Sequence, residues 1–213
     1  MRMRIPTNQY RVTKYNPAFR DQSGAYTKDE WTVFGQIGQT FSGVLFTSDE
    51  YERVEQAYVQ TAFSFLRESG VLSLRIVGLE NSRMQPLDFQ NDSVLTLDRI
   101  GEIIRRILRD EFWCRLEGGG GFIHFGWDYY MYIGVPHPCP TAQALAVELG
   151  LYVEVFASPH VGDEDELCRI PGFQPPVSIP LTNEFEVVDS LVYSPPAFPG
   201  ALQLPAMHGI ALR

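Results

Sequence analysis

The chain has 213 residues, a formal charge of -9, and 45% hydrophobic and 13% aromatic residues. That length suits one domain, or one domain with an appendage, and the apolar content supports a sizeable core and excludes wholesale disorder. The charge disfavours nucleic-acid binding, which needs clustered Lys and Arg to neutralise phosphates, and it is compatible with a basic partner, whose approach an acidic field accelerates.

Residues 9–15 alternate weakly and predict a first strand, followed by turn chemistry at Asn16-Pro17 and Asp21 to Gly24. Residues 30–37 predict a second strand, closed by Gly38. Thr47 and Glu50 then have the spacing of a capping box. Asp49, Glu50 and Glu52 supply negative charge where a helix dipole favours it. Tyr51, Val54, Tyr58, Ala62, Phe65 and Leu66 recur at mostly three- and four-residue steps, and Gly70 is a natural helix stop. Together these predict an amphipathic helix.

Residues 71–79 alternate as a strand, and the polar segment 81–92, with Pro86, reads as a loop. Leu97, Ile100, Ile103, Ile104, Ile107 and Leu108 define the inner face of a second helix over 97–111, with Arg105, Arg106 and Arg109 toward its C-terminal end. The segment 112–134 holds eight aromatic residues and is divided by Gly118 to Gly121. Aromatic and β-branched residues suit a pleated, half-buried surface, so it predicts three strands over 112–117, 122–127 and 129–133. A short helix over 141–149 and a strand over 151–156 follow.

Hairpin-linked strands with inserted helices imply an α+β domain over 1–156, with a largely antiparallel sheet and helices packed on one face. Residues 157–213 hold nine of the fifteen prolines, and seven acids against two arginines. That composition predicts an extended, Pro-rich, acidic C-terminal appendage.

Chemical signals are sparse. Gly118 to Gly121 lacks the Lys-Ser or Lys-Thr and the following helix of a phosphate loop, and reads as a hairpin turn. Cys114, Cys139 and Cys168 have neither disulfide nor metal spacing. His124, His137, His160 and His208 have no metal spacing either. No G-x-S-x-G elbow occurs. The expectation is a protein without metal or cofactor. No apolar run reaches the ~18 residues of a membrane span, and residues 1–12 do not read as a secretory signal, so the cytoplasm is the expected location.

Two features suit a partner surface. On a regular strand, Trp127, Tyr129 and Met131 share one face and Asp128, Tyr130 and Tyr132 the other, and tyrosine combines large rigid area with a polar tip. Asp163, Glu164, Asp165 and Glu166 form an acidic run that reads either as a solvated loop or as a contact for a basic cleft. The same tyrosines would equally complete a sheet covered by helices.

Tyr10 to Pro17, Phe19-Arg20-Asp21, Tyr26 and Asp29 to Thr32, taken with the helix from Tyr51 to Leu66 and the run His124 to Gly134, resemble a small and mostly uncharacterised family of bacterial proteins. Its members resemble the immunity proteins encoded beside polymorphic or contact-dependent toxins. The resemblance covers about residues 9–160 and carries no catalytic residues. It implies a protein that neutralises a cognate toxin domain by direct non-covalent binding; the acidic charge suits a basic toxin, and the aromatic run and acidic loop themselves make Trp127, Asp128, Tyr130, Tyr132 and the run 163–166 the contact candidates. The alternative is an enzyme acting on a small molecule or a protein, with a site around His124, Asp128 and Tyr130.

Overall fold

A computed structural model describes residues 5–126 and 128–161. Nine strands and three helices follow in the order β1 (Asn8–Thr13), β2 (Thr40–Phe41), β3 (Val44–Leu45), α1 (Ser48–Glu68), β4 (Ser73–Glu80), β5 (Val94–Thr96), α2 (Leu97–Leu108), β6 (Trp113–Gly118), β7 (Gly121–Phe125), β8 (Met131–Val135), α3 (Pro140–Glu148) and β9 (Tyr152–Val155). Seven strands form one antiparallel sheet ordered β5-β4-β6-β7-β8-β1-β9, and β2 and β3 form a separate small hairpin. The fold is α+β. Among the described residues, no helix is long and apolar enough to cross a membrane.

Period-two alternation sends Val12, Ile133, Ile123, Leu116 and Ile76 into one core with the helices. The opposite face carries Arg11, Tyr132, His124 and Glu117, on strands whose register sets Arg11 beside Tyr132, and Tyr132 beside His124. The β6–β7 hairpin turns through Gly119 and Gly120 at φ of 59° and 81°. Two left-handed central residues match the right-handed twist of the flanking strands, and glycine adopts them without strain.

In α1, Tyr51, Val54, Tyr58, Ala62, Phe65 and Leu66 are all buried, as their spacing requires. The capping box is half formed: Thr47 Oγ1 accepts from the Glu50 N–H at 3.2 Å, while the Glu50 carboxylate is taken by Arg53. Glu55 lies on the buried side, facing α2, where it accepts from Arg109 at 2.7 and 2.8 Å, from Arg105 at 3.3 Å and from the Tyr51 hydroxyl at 3.0 Å. Both arginines remain partly in water, at 39% and 35% exposure, so removing Glu55 mainly orphans the buried Tyr51 hydroxyl. Glu55→Ala is therefore expected to cost about 2 kcal/mol in urea unfolding, less than the loss of one member of a fully buried pair.

Several expected boundaries shift. No strand forms over 30–37: Phe34–Gln36 is a single 3-10 turn, and Trp31 is drawn out of alternation to stack on Phe46 at 4.3 Å. The second helix ends at Leu108, where Asp110 takes a left-handed φ of 58°. Strand β7 stops at Phe125 and β8 starts at Met131, so Gly126 and residues 128–130 form a connection and not strand. Residues 157–161, assigned by composition to the appendage, lie against the outer sheet face. The remainder of the appendage, from residue 162, lies outside the described residues.

Candidate functional site

The turn between β7 and β8 is built around Tyr129. The Gly126 N–H donates to the Tyr130 carbonyl at 2.8 Å, and both Asp128 and Tyr129 hold left-handed φ values, of 55° and 62°. For a bulky L-residue that conformation costs on the order of 1 kcal/mol and persists only where the surroundings over-determine it. Here they do. Tyr129 is 6% exposed. Its hydroxyl donates to the Leu108 carbonyl at 2.7 Å, and its own carbonyl accepts from the Tyr58 hydroxyl at 2.6 Å. The rings of Trp31, Tyr51 and Tyr58 surround its ring edge-on. Pinning Tyr129 in the core leaves its two described neighbours outside: Asp128 is exposed and Tyr130 half-buried.

Beside Tyr130 lies a charged cluster. Glu154 accepts from Arg11 at 3.0 and 3.1 Å and from Arg20 at 2.7 Å. Burial alone would raise the Glu154 carboxyl, but the hydrogen bonds from Arg20 and Arg11 outweigh it and hold the group below its ordinary value. The Arg11 guanidinium lies 4.1 Å from the Phe156 ring centre and 5.2 Å from that of Tyr130. Tyr132 sits deeper. It is 7% exposed, with Phe156 and His160 over its ring.

His124 is fully buried on the same face. Its Nδ1 lies 2.9 Å from Ser158 Oγ and its Nε2 lies 3.1 Å from Glu117 Oε1. Burial pushes the imidazole below its ordinary value against the opposing pull of Glu117, so the neutral ring is the resting form. The hydrogen bonds then assign the tautomer: Nε2–H donates to Glu117, and the Ser158 hydroxyl donates to Nδ1 while accepting from the His160 N–H at 3.2 Å. Ser158 N–H also donates to Gln9 Oε1 at 2.9 Å. The order hydroxyl, imidazole, carboxylate has the makings of an activated nucleophile. However, His124 and Ser158 line neither of the two cavities described here, and the geometry acts as a latch that lays residues 156–161 across the sheet.

The first cavity holds about 400 Å³ at the outer end of β4 and β6, between Glu80, Asp110, Glu111, Phe112, Trp113 and Phe125. The second, about 80 Å³, lies between Lys14, Glu30, Trp31, Glu50 and Arg53. Among the described residues, no three His, Cys, Asp or Glu side chains are grouped to hold a metal ion.

Of the residues proposed from sequence, Asp128 and Tyr130 stand out together, and Tyr132 is covered. Trp127 and the run Asp163, Glu164, Asp165 and Glu166 lie outside the described residues. The shared face of Asp128, Tyr130 and Tyr132 assumed a regular strand, which the turn between β7 and β8 interrupts. For the same reason His124, Asp128 and Tyr130 do not form one cluster: His124 is enclosed by Glu117 and Ser158, whereas the charge of Asp128 is felt at Lys14 and Tyr15. Sequence reading missed Ser158, Glu117 and Glu154. The i, i+2 alternation from Arg115 puts Glu117 on the outer face, and the pairing of β9 with β1 sets Glu154 beside Arg11; both become readable only once the strand order is known. No family model, curated protein or solved structure matches the chain.

Proposed function

We propose that the chain is an immunity-type protein that neutralises a cognate bacterial toxin domain by direct non-covalent binding. The observation that carries this reading is the pinned turn, which presents Asp128 and Tyr130 outward from a left-handed backbone fixed by the buried Tyr129. A preorganised aromatic and a carboxylate on an acidic protein lose little freedom on binding a basic surface, which favours tight and fast association. The resemblance of residues 9–160 to immunity-like proteins points the same way.

The test is co-expression with the toxin domain encoded by the adjacent reading frame, reading both growth and complex formation. The chain is expected to restore growth and to form a stoichiometric complex. Asp128→Ala and Tyr130→Ala are each expected to weaken that complex by about 2 kcal/mol, near thirtyfold, as loss of a central anchor does. Continued growth arrest without a complex overturns the reading. A second reading, an enzyme, is favoured by one observation, the hydrogen-bonded string Ser158–His124–Glu117. Substrate turnover lost in Ser158→Ala would move the function there.

A further inference from the structure

We propose that the cavity between Glu80 and Trp113 receives an aliphatic organic cation, an arginine or lysine side chain of the basic partner; this rests on the proposed function for the identity of the bearer. Three independent features converge on that chemistry.

The first is a misaligned ladder. Strand β4 pairs with β6 in register through Val77 and Arg115, then slips so that Glu80 opposes Trp113. Gly78, at a φ of 62°, takes up the slip. Such bulges end regular pairing and re-aim a side chain. Here the effect is to set the Glu80 carboxylate on the cavity wall, where it has no ion-pair or hydrogen-bond partner among the described residues.

The second is charge placed against the local field. Asp110 and Glu111 follow the last turn of α2, where the helix dipole is negative and a carboxylate is disfavoured. Asp110 also occupies the left-handed position at which a helix usually carries glycine. Their counterions, Arg83 and Arg106, do not line the cavity and reach them from outside. Among the described lining residues those two acids are paired, which leaves the solvent-exposed Glu80, beside His160, as the carboxylate placed to meet a monovalent cation.

The third is the wall itself. Trp113 is the half-buried aromatic of the lining, while Phe112 and Phe125 are core residues, 4% and 3% exposed, with Arg106 already over the Phe112 ring; an indole is the best neutral platform for a cation. The Trp113 ring is fixed by its Nε1–H, which donates to the Phe125 carbonyl at 2.9 Å. A carboxylate beside an indole suits a guanidinium or ammonium on a carbon stem, and the volume of about 400 Å³ accommodates one such side chain.

The experiment uses the full ¹⁵N-labelled chain and an isosteric pair of probes, butylguanidine and the uncharged butylurea. The readout is the Trp113 indole N–H resonance, assigned with Trp113→Phe. Butylguanidine is expected to shift that resonance saturably, with butylurea at least about tenfold weaker, the range set by a charge-assisted hydrogen bond. Glu80→Gln is expected to weaken butylguanidine by about the same factor and to leave butylurea unchanged. Equal response to both probes, or none to butylguanidine, overturns the proposal, whether or not a toxin complex forms. Where a complex forms, Glu80→Gln is expected to weaken it about tenfold. Wild-type affinity of that variant for the toxin domain overturns the proposal too, and leaves the proposed function standing. Loss of the complex from the wild-type chain counts against the proposed function alone.

Discussion

Gly134→Ala is expected to lower the unfolding free energy by about 3 kcal/mol, the upper end of what overpacking a tight interior costs. Gly134 on β8 is the register partner of Phe122 on β7, and the Phe122 ring lies directly over it. A Cβ on Gly134 would stand 2.1 Å from one ring carbon and 2.5 Å from two more. Phe122 is fully buried and stacks on His124 with centroids 4.2 Å apart and planes 11° from parallel. The ring therefore moves only by displacing the imidazole, which in turn holds Ser158 and the segment over it. Gly101 provides the contrast. Its added Cβ would stand 2.7 Å from the tip of Phe63, but Phe63 is only half-buried and its ring end swings toward solvent. Gly101→Ala is accordingly the mild control, aided by the higher helix propensity of alanine. Urea unfolding measures both, and the His124 ring resonances report whether the stack is disturbed. Adding Phe122→Ala to Gly134→Ala should cost less than the sum of the two single changes, because the smaller side chain makes room for the methyl. A Gly134→Ala loss below about 1 kcal/mol, or simple additivity, would show that the ring is not trapped.

What the sequence revealed and what it withheld divide along physical lines. Helix α1 was legible because everything that makes it is local: the Thr47 cap, the first-turn acids, one apolar stripe and Gly70 as a stop. The same holds for the glycine turn between β6 and β7. The turn between β7 and β8 was not legible, because its decisive residue breaks a local rule. An aromatic residue at positive φ is disfavoured in isolation, and Tyr129 adopts it only because Tyr58, 71 positions earlier, and the end of α2 bind it there. The string Ser158–His124–Glu117 spans 34 and 7 positions, and its assembly depends on the strand order and on the return of residues 156–161. The bulge that aims Glu80 is likewise a property of pairing with β6. Candidate surfaces were thus readable as composition, while which side chains reach the surface was decided by long-range contacts. Tyr132, in the same run as Tyr130, ended up covered for that reason.

Lys14→Met is expected to stabilise the protein at neutral pH by roughly 2–3 kcal/mol and to remove an alkaline rise in stability. The Lys14 side chain is 6% exposed. It lies 3.9 Å from the Tyr15 ring centre and 4.1 Å from that of Trp31, and its Nζ makes no hydrogen bond. Its nearest countercharge, a Glu30 oxygen, is 3.6 Å away. Desolvation dominates and pushes the amine down from 10.5 to about 8, against the pull of Glu30 and the weaker fields of Glu50 and Asp128. The sign follows from proton counting. Below pH 8 the lysine is protonated in both folded and unfolded chains, and the full cost of burying the charge is present. Between about 8 and 10.5 the unfolded chain binds more protons than the folded one, so stability rises with pH. Between pH 7.5 and 9.5 that rise amounts to about 2 kcal/mol. Raised tyrosine pKa values, of Tyr51 and Tyr58 among others, work in the opposite sense above pH 10, so the comparison is made below it and as a difference between wild type and variant. The Lys14 backbone N–H, which donates to the Tyr58 hydroxyl at 2.8 Å, is untouched by the change, and methionine fills the space between the two rings with a flexible apolar stem. Parallel urea titrations at the two pH values measure the effect. Curves for wild type and Lys14→Met that stay parallel from 7.5 to 9.5 would mean that the ammonium reaches water and carries no burial cost.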